Sequence, residues 1–181
     1  MPRERQELAT VRNSLSDSES IGVFGPEEIL AAGCHSAVGR LVNYWRSIHP
    51  QAGLPGRRDV DPVAIPHLLD RMWMLDVETE PRLRFRFRLV SAKNTAVLGN
   101  DLTNHYVDDL VSNFQTTVTY RALSTVVEKG LPNWRRGEPD LPHIDEFLDI
   151  ERVMLPLATD SRSVDVILGL SVFYRKNGSE F

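Results

Sequence analysis

Hydrophobic and polar residues alternate without a break in Leu83-Arg84-Phe85-Arg86-Phe87-Arg88-Leu89, with Val90 after them. Successive side chains on a strand point to opposite faces. The spacing therefore predicts one strand with Leu83, Phe85, Phe87 and Leu89 on an apolar face and Arg84, Arg86 and Arg88 on a cationic one. Residues 71–78, Arg-Met-Trp-Met-Leu-Asp-Val-Glu, read as its partner. Glu80-Pro81 supplies a turn, so 71–78 and 82–91 are expected to form a hairpin. Residues 146–157 and 163–175 read as two further long strands, joined by the turn Thr159-Asp160-Ser161-Arg162.

Elsewhere the period lengthens. Leu30, Cys34, Ala37, Val38, Leu41, Tyr44, Trp45 and Ile48 recur at three and four, which predicts one amphipathic helix over about 25–48. Gly25-Pro26-Glu27-Glu28 is a helix start, because proline suits the first helical position and acids favour the first turn. Pro50 ends it, and Gly33 and Gly39 weaken it. A second helix is expected from about Asn113 to Glu128, with Phe114, Val118, Ala122, Leu123 and Val126 inward and Lys129-Gly130 and Pro132 as stop signals. Residues 93–99 and 105–111 read as short helical turns. The proline-rich stretches 49–66 and 131–144 read as loops, with Asp61 capping a short helix that begins at Pro62.

Two hairpins separated by helices predict an α+β domain: a mostly antiparallel sheet with helices over one face. Residues 1–24 carry few apolar groups and are expected to be a mobile tail. The expected division is the tail 1–24, an amphipathic helix in 25–50, a main domain over 51–176, and a short C-terminal tail, 177–181.

Composition narrows the class. The 181 residues include 41% hydrophobic and 25% charged, as in a globular domain, and the net charge of −4 argues against non-specific nucleic-acid binding. One cysteine, Cys34, excludes an intrachain disulfide and a Cys-rich zinc site. No apolar run approaches the roughly 20 residues of a membrane span, and the N-terminus lacks a signal-peptide core. A cytoplasmic protein that engages neither membrane nor nucleic acid is expected.

Several local motifs carry a resemblance. They are Leu54-Pro55 with Arg58, Asp59 and Asp61-Pro62; Pro66-His67-Leu68-Leu69; Trp73-Met74-Leu75-Asp76-Val77-Glu78; Phe87-Arg88-Leu89-Val90; and Gly99 with Asp101-Leu102-Thr103. Over about 40–175 the chain resembles the PAS sensor-domain superfamily, and more closely a family of short stand-alone bacterial PAS-like proteins. The resemblance implies a PAS-like five-stranded antiparallel sheet with short helices over one face, preceded here by the N-terminal helix. It also implies a small pocket under those helices and a sensory or signal-transduction role. A glycine is implied after Thr103, where this chain has Asn104. Asparagine enters the left-handed region more readily than other residues with a side chain, so the turn is expected to survive.

The residues offer no catalytic constellation. His35, His49, His67, His105 and His143 show no i, i+4 zinc pair, and there is no nucleophile elbow or phosphate loop. Haem-binding relatives draw a histidine from the longer helix, and 113–128 has none. Flavin photochemistry needs a cysteine in Ser91–Leu98, which has none, and Cys34 reads as a buried structural thiol. No cofactor is expected. The acids Asp108-Asp109 and Asp140, Asp145 and Glu146 read as solvated surface. The stripe Arg84, Arg86 and Arg88 is expected to pair with Asp76, Asp149 or Glu151 across strands.

Candidates for lining a pocket are Trp73, Phe85, Phe87, Asn94, Leu98, His105, Tyr106, Phe114, Val118, Val153, Leu155 and Val166. The expectation is a non-enzymatic sensory or protein-interaction domain that binds a small organic molecule or none. It is expected to carry no kinase, cyclase or DNA-binding output domain of its own and to signal by protein contact. The arginine stripe makes the outer sheet face a poor apolar dock for the N-terminal helix. A homodimer through that helix is therefore expected, besides an unknown signalling partner. The alternative is a small enzyme or carrier of the cystatin-like cone fold, which places long helices before its strands rather than between two hairpins.

Overall fold

The arginine-striped segment forms its strand because Phe85 can be sealed while its neighbours pair with acids. In the computed structural model, which describes residues 24–138 and 147–181, β2 spans Arg84–Val90 and pairs antiparallel with β1, Met72–Glu78. The expected mobile tail lies outside the described residues, apart from Phe24. The other hairpin is β4, Phe147–Leu157, with β5, Val166–Arg175. A short strand that the pattern hides, β3 (Asn133–Gly137), pairs with β4. The sheet order is β2-β1-β5-β4-β3, antiparallel throughout. The expected loop over 131–144 is thus partly strand. Asn133-Trp134-Arg135-Arg136-Gly137 has no apolar alternation, and its pairing is fixed by β4 rather than by its own composition.

Between the hairpins lie α3 (Ala92–Leu98), α4 (Val107–Leu110), a 3-10 turn (Phe114–Thr116) and α5 (Val118–Lys129). The expected helix from Asn113 is split. Asn113 is left-handed, and Thr117 caps α5 by accepting a hydrogen bond from Tyr120 N at 3.0 Å. This arrangement, helices separating two hairpins, is the order that distinguishes the fold from a cystatin-like cone.

The N-terminal helix is also two pieces, α1 (Pro26–Ala31) and α2 (Ser36–Ser47). Gly33 adopts φ +75°, and His35 caps α2 by accepting from Ala37 N through Nδ1 at 3.1 Å. Asp61 caps the turn Pro62–Ala64 as expected, accepting from Val63 N at 2.9 Å.

The largest correction concerns what α1 and α2 cover. Ile29, Val38, Leu41, Val42 and Trp45 pack into one cluster with Met72, Met74, Val153, Leu155, Leu157, Val166, Leu168, Leu170 and Val172. The helix pair therefore lies on its own sheet, on the face opposite α3–α5. The arginine stripe does not prevent this, because β2 is an edge strand and the docking surface is supplied by the central strands β1, β5 and β4. The apolar stripe is satisfied within the chain, and its burial does not call for a second copy. Nor do residues 25–50 form a unit apart from 51–176, since they share one core. The last residues also fold back. Tyr174 bridges Glu180, and Phe181 N donates to Phe173 O at 2.9 Å.

Candidate functional site

On the other sheet face, a cavity of about 110 Å³ lies between the strands and α3, α4 and α5. The strands provide Trp73, Leu75, Phe87, Val90, Ile150, Met154 and Phe173, and the helices add Leu98, Val107 and Leu123. Polar groups are few: Asn94 and Thr119 from the helices, and Arg135, Glu138, Arg152 and Ser171 from the sheet side. A mostly apolar concavity with a few placed polar groups is the usual form of a small-molecule site.

Each position has a local cause. Trp73 stands opposite Gly169 in the β1–β5 register, and a Cβ on Gly169 would come within 2.2 Å of the indole. Only glycine leaves room for that ring. The indole Nε1 donates to Ser171 Oγ at 2.9 Å, which fixes its orientation. Asn94, 3% exposed, donates from Nδ2 to Ser91 Oγ at 2.7 Å and to Arg71 O at 2.9 Å, tying α3 to the start of β1. Arg152 donates from Nη1 to Thr119 Oγ1 at 3.0 Å, linking β4 to α5.

A bulge changes which residues face the cavity. In the β1–β2 register Leu75 pairs with Phe87 but Met74 pairs with Leu89, so Arg88 is the extra residue. Beyond it the alternation shifts. Leu89, 39% exposed, leaves the apolar face, and Val90, opposite Trp73, takes up the lining. Perfect alternation in the sequence could not show this shift.

Of the residues singled out in the sequence, Trp73, Phe87, Asn94 and Leu98 come together at the cavity. Phe85 and Phe114 lie beside it in closed core, in T-shaped contact with each other at 6.3 Å and with Tyr120 at 6.2 and 5.4 Å. Val118 opens α5 and is not among the lining residues. Val153, Leu155 and Val166 face α1 and α2 through the sheet, because odd positions of β4 and even positions of β5 share that face. His105 is exposed and acts through its backbone. Phe87 N donates to His105 O at 2.9 Å, and Asn104 N donates to Phe87 O at 2.7 Å, which covers the free edge of β2. Asn104 holds φ +68°, so the left-handed turn is kept without the glycine.

Tyr106 sits on the outer face in a charged lattice. Its hydroxyl donates to Glu78 at 3.0 Å, and the Arg84 guanidinium lies 3.8 Å from its ring centroid. The Glu78 carboxylate beside it raises the Tyr106 phenol above its ordinary pKa, chiefly through that hydrogen bond. Arg86 and Arg88 both pair with Asp76, as expected, while Arg84 pairs with Asp108 and Asp109. Asp149 and Glu151 take no part, because β5 and β1 separate β4 from β2. Glu151 is instead fully buried under α2. It accepts from His35 N at 2.6 Å and Trp134 Nε1 at 3.0 Å, and Tyr174 Oη donates to it at 3.3 Å. Cys34 is half-buried, and burial raises its thiol pKa. Among the described residues, no three His, Cys, Asp or Glu side chains cluster as a metal site would require.

The other lining residues were missed from sequence alone, among them Val90, Met154, Arg135, Arg152 and Ser171. The last three sit on β3, β4 and β5, and only the sheet register brings them to the same face.

A five-stranded antiparallel sheet with short helices enclosing a small cavity defines a sensor-type α+β domain. A family model described as "PAS domain" matches residues 34–172, and the chain belongs to that family. A solved structure titled as a Rhodobacter sphaeroides LOV protein is similar at a TM-score of 0.45 and 10% identity. The match covers 77% of this chain and 69% of that one. No curated protein sequence matches the chain.

Proposed function

We propose that this chain is a sensory PAS domain whose cavity takes one small organic molecule, and that it acts by protein contact rather than by catalysis. The observation that carries the reading is the cavity itself: an apolar enclosure at the meeting of sheet and helices with a few oriented polar groups. Its volume, about 110 Å³, is of the order of an engineered protein cavity that accepts benzene. A flavin or porphyrin ring system is far larger than benzene, the size of ligand that a cavity of this order accepts. α5 also offers no histidine to a haem, and α3 offers no cysteine to a flavin.

Occupancy would be sensed through α3, α4 and α5, which supply the helical side of the lining and touch solvent on their outer faces. A homodimer through the N-terminal helix would have to use the polar outer face of α2, at Ser36, Arg40, Asn43 and Ser47, since its apolar face is occupied. Native mass spectrometry of the protein purified without added ligand tests both points. A retained small-molecule mass supports the reading, and a visible absorption band from a bound chromophore would overturn it. A single-protomer mass at micromolar concentration would remove the homodimer.

A further inference from the structure

Two side chains in the wall of the cavity each carry a hydrogen-bonding function that the fold leaves unused. Asn94 is 3% exposed and Ser171 8%, and both line the cavity. The Asn94 amide fits only one way round. Its Nδ2 lies 2.9 Å from Arg71 O and 3.5 Å from Met72 O, and carbonyl oxygens accept but never donate. The amino group must therefore face them, which leaves Oδ1 on the other side of the amide. Among the described residues, Oδ1 accepts no hydrogen bond. Ser171 is fixed by the same logic. The indole Nε1 of Trp73 only donates, so Ser171 Oγ accepts from it at 2.9 Å and its own hydroxyl proton is directed elsewhere. That proton finds no acceptor among the described residues.

Both groups sit around the start of β1. Asn94 is tied to the carbonyls of Arg71 and Met72. Met72 pairs with Leu170, and Ser171 is the next residue of β5 beyond that pair. Buried polar groups without partners cost free energy, and a ligand that serves them recovers it. Asn94 Oδ1 calls for a donor, and the Ser171 hydroxyl calls for an acceptor. A hydroxyl is both at once. A carboxylate only accepts and would set its oxygens against Oδ1, while an ammonium only donates and would leave Ser171 unserved. Trp73, Phe87, Val90 and Leu98 make the wall beside them apolar. We propose that the cavity's ligand is a small uncharged hydroxyl compound. Its hydroxyl donates to Asn94 Oδ1 and accepts from Ser171 Oγ, and its hydrocarbon body lies against Trp73 and Phe87. A cavity of about 110 Å³ limits that body to about one benzene ring. This inference rests on the ligand-binding reading above and adds the chemical class.

The test is calorimetric titration of the intact, exhaustively dialysed protein with phenol, toluene and benzoate. Toluene has the shape of phenol without the hydroxyl, and benzoate has a charged group that only accepts. Phenol should bind at least about tenfold more tightly than toluene, a difference of about 1.4 kcal/mol. Benzoate should bind more weakly than phenol. Ser171→Ala should bring phenol to within about threefold of toluene while leaving toluene itself unchanged, as loss of one hydrogen bond requires. Should Ser171→Ala not fold, Ser171→Cys, whose thiol is a weak donor, carries the test in the same direction. Toluene binding as tightly as phenol overturns the hydroxyl assignment and leaves the ligand cavity standing, with water serving the two groups. Benzoate binding as tightly as phenol also overturns it, as does a phenol affinity that survives loss of the Ser171 hydroxyl. Binding of no probe at all overturns both readings.

Discussion

Gly169 is the residue on which the cavity depends most directly. Its missing side chain is the space that the Trp73 indole fills, with contact at 2.2 Å from any added Cβ. Gly169→Ala must push the ring off Ser171 and into the cavity, and forced overpacking of this kind costs about 1–3 kcal/mol. Denaturant midpoints should show that loss, and the double variant Gly169→Ala with Trp73→Phe should recover part of it. On the opposite face, Tyr174 is pushed up to about 12, first by burial and then by the Glu151 carboxylate. Its ordinary value is 10.0, so the folded chain holds this proton more tightly than the unfolded chain does. The phenol's contribution to stability is complete below about pH 10 and is lost as the pH rises through 12. Absorbance titration should find one of the four tyrosines ionising last, and Tyr174→Phe should remove that step.

Among the elements, the amphipathic helix and both hairpins were legible because their periodicities are strong over seven or more residues. Asp61 as a cap and the acid partners of Arg86 and Arg88 were legible for the same kind of local reason. The strand β3 was not. Trp134 is drawn inward by Glu151, and Arg135 faces the cavity, neither of which the run Asn-Trp-Arg-Arg-Gly announces. The surface under α2 is not legible from the arginine stripe on β2, because strand order places that stripe at one edge of the outer face. Trp45 shows how firmly α2 is held. It is 3% exposed, and its Nε1 donates to Pro156 O at 2.9 Å. Trp45→Ala should cost about 3–5 kcal/mol by chemical denaturation. In the lattice on β1 and β2, Asp76 serves two arginines while Arg88 is half-exposed. Asp76→Asn should therefore cost about 1–3 kcal/mol and Arg88→Ala less than about 1 kcal/mol, a ranking that parallel unfolding curves would check.

For the whole molecule, the strand order has a kinetic consequence. Each hairpin, β1–β2 and β4–β5, closes a short loop, whereas the central β1–β5 seam joins residues such as Trp73 and Ser171, 98 positions apart. Pairings so distant in the chain form slowly, so docking of the hairpins is expected to follow their separate formation. The cavity floor takes Trp73, Leu75 and Phe87 from one hairpin and Ile150, Met154 and Phe173 from the other. The cavity therefore does not exist until the seam has closed. A bound molecule cannot hasten assembly and can only delay the parting of the two halves. Stopped-flow measurements should show a ligand leaving the refolding rate unchanged and slowing unfolding. The occupied sensor would then differ from the empty one less in shape than in the lifetime of its folded state.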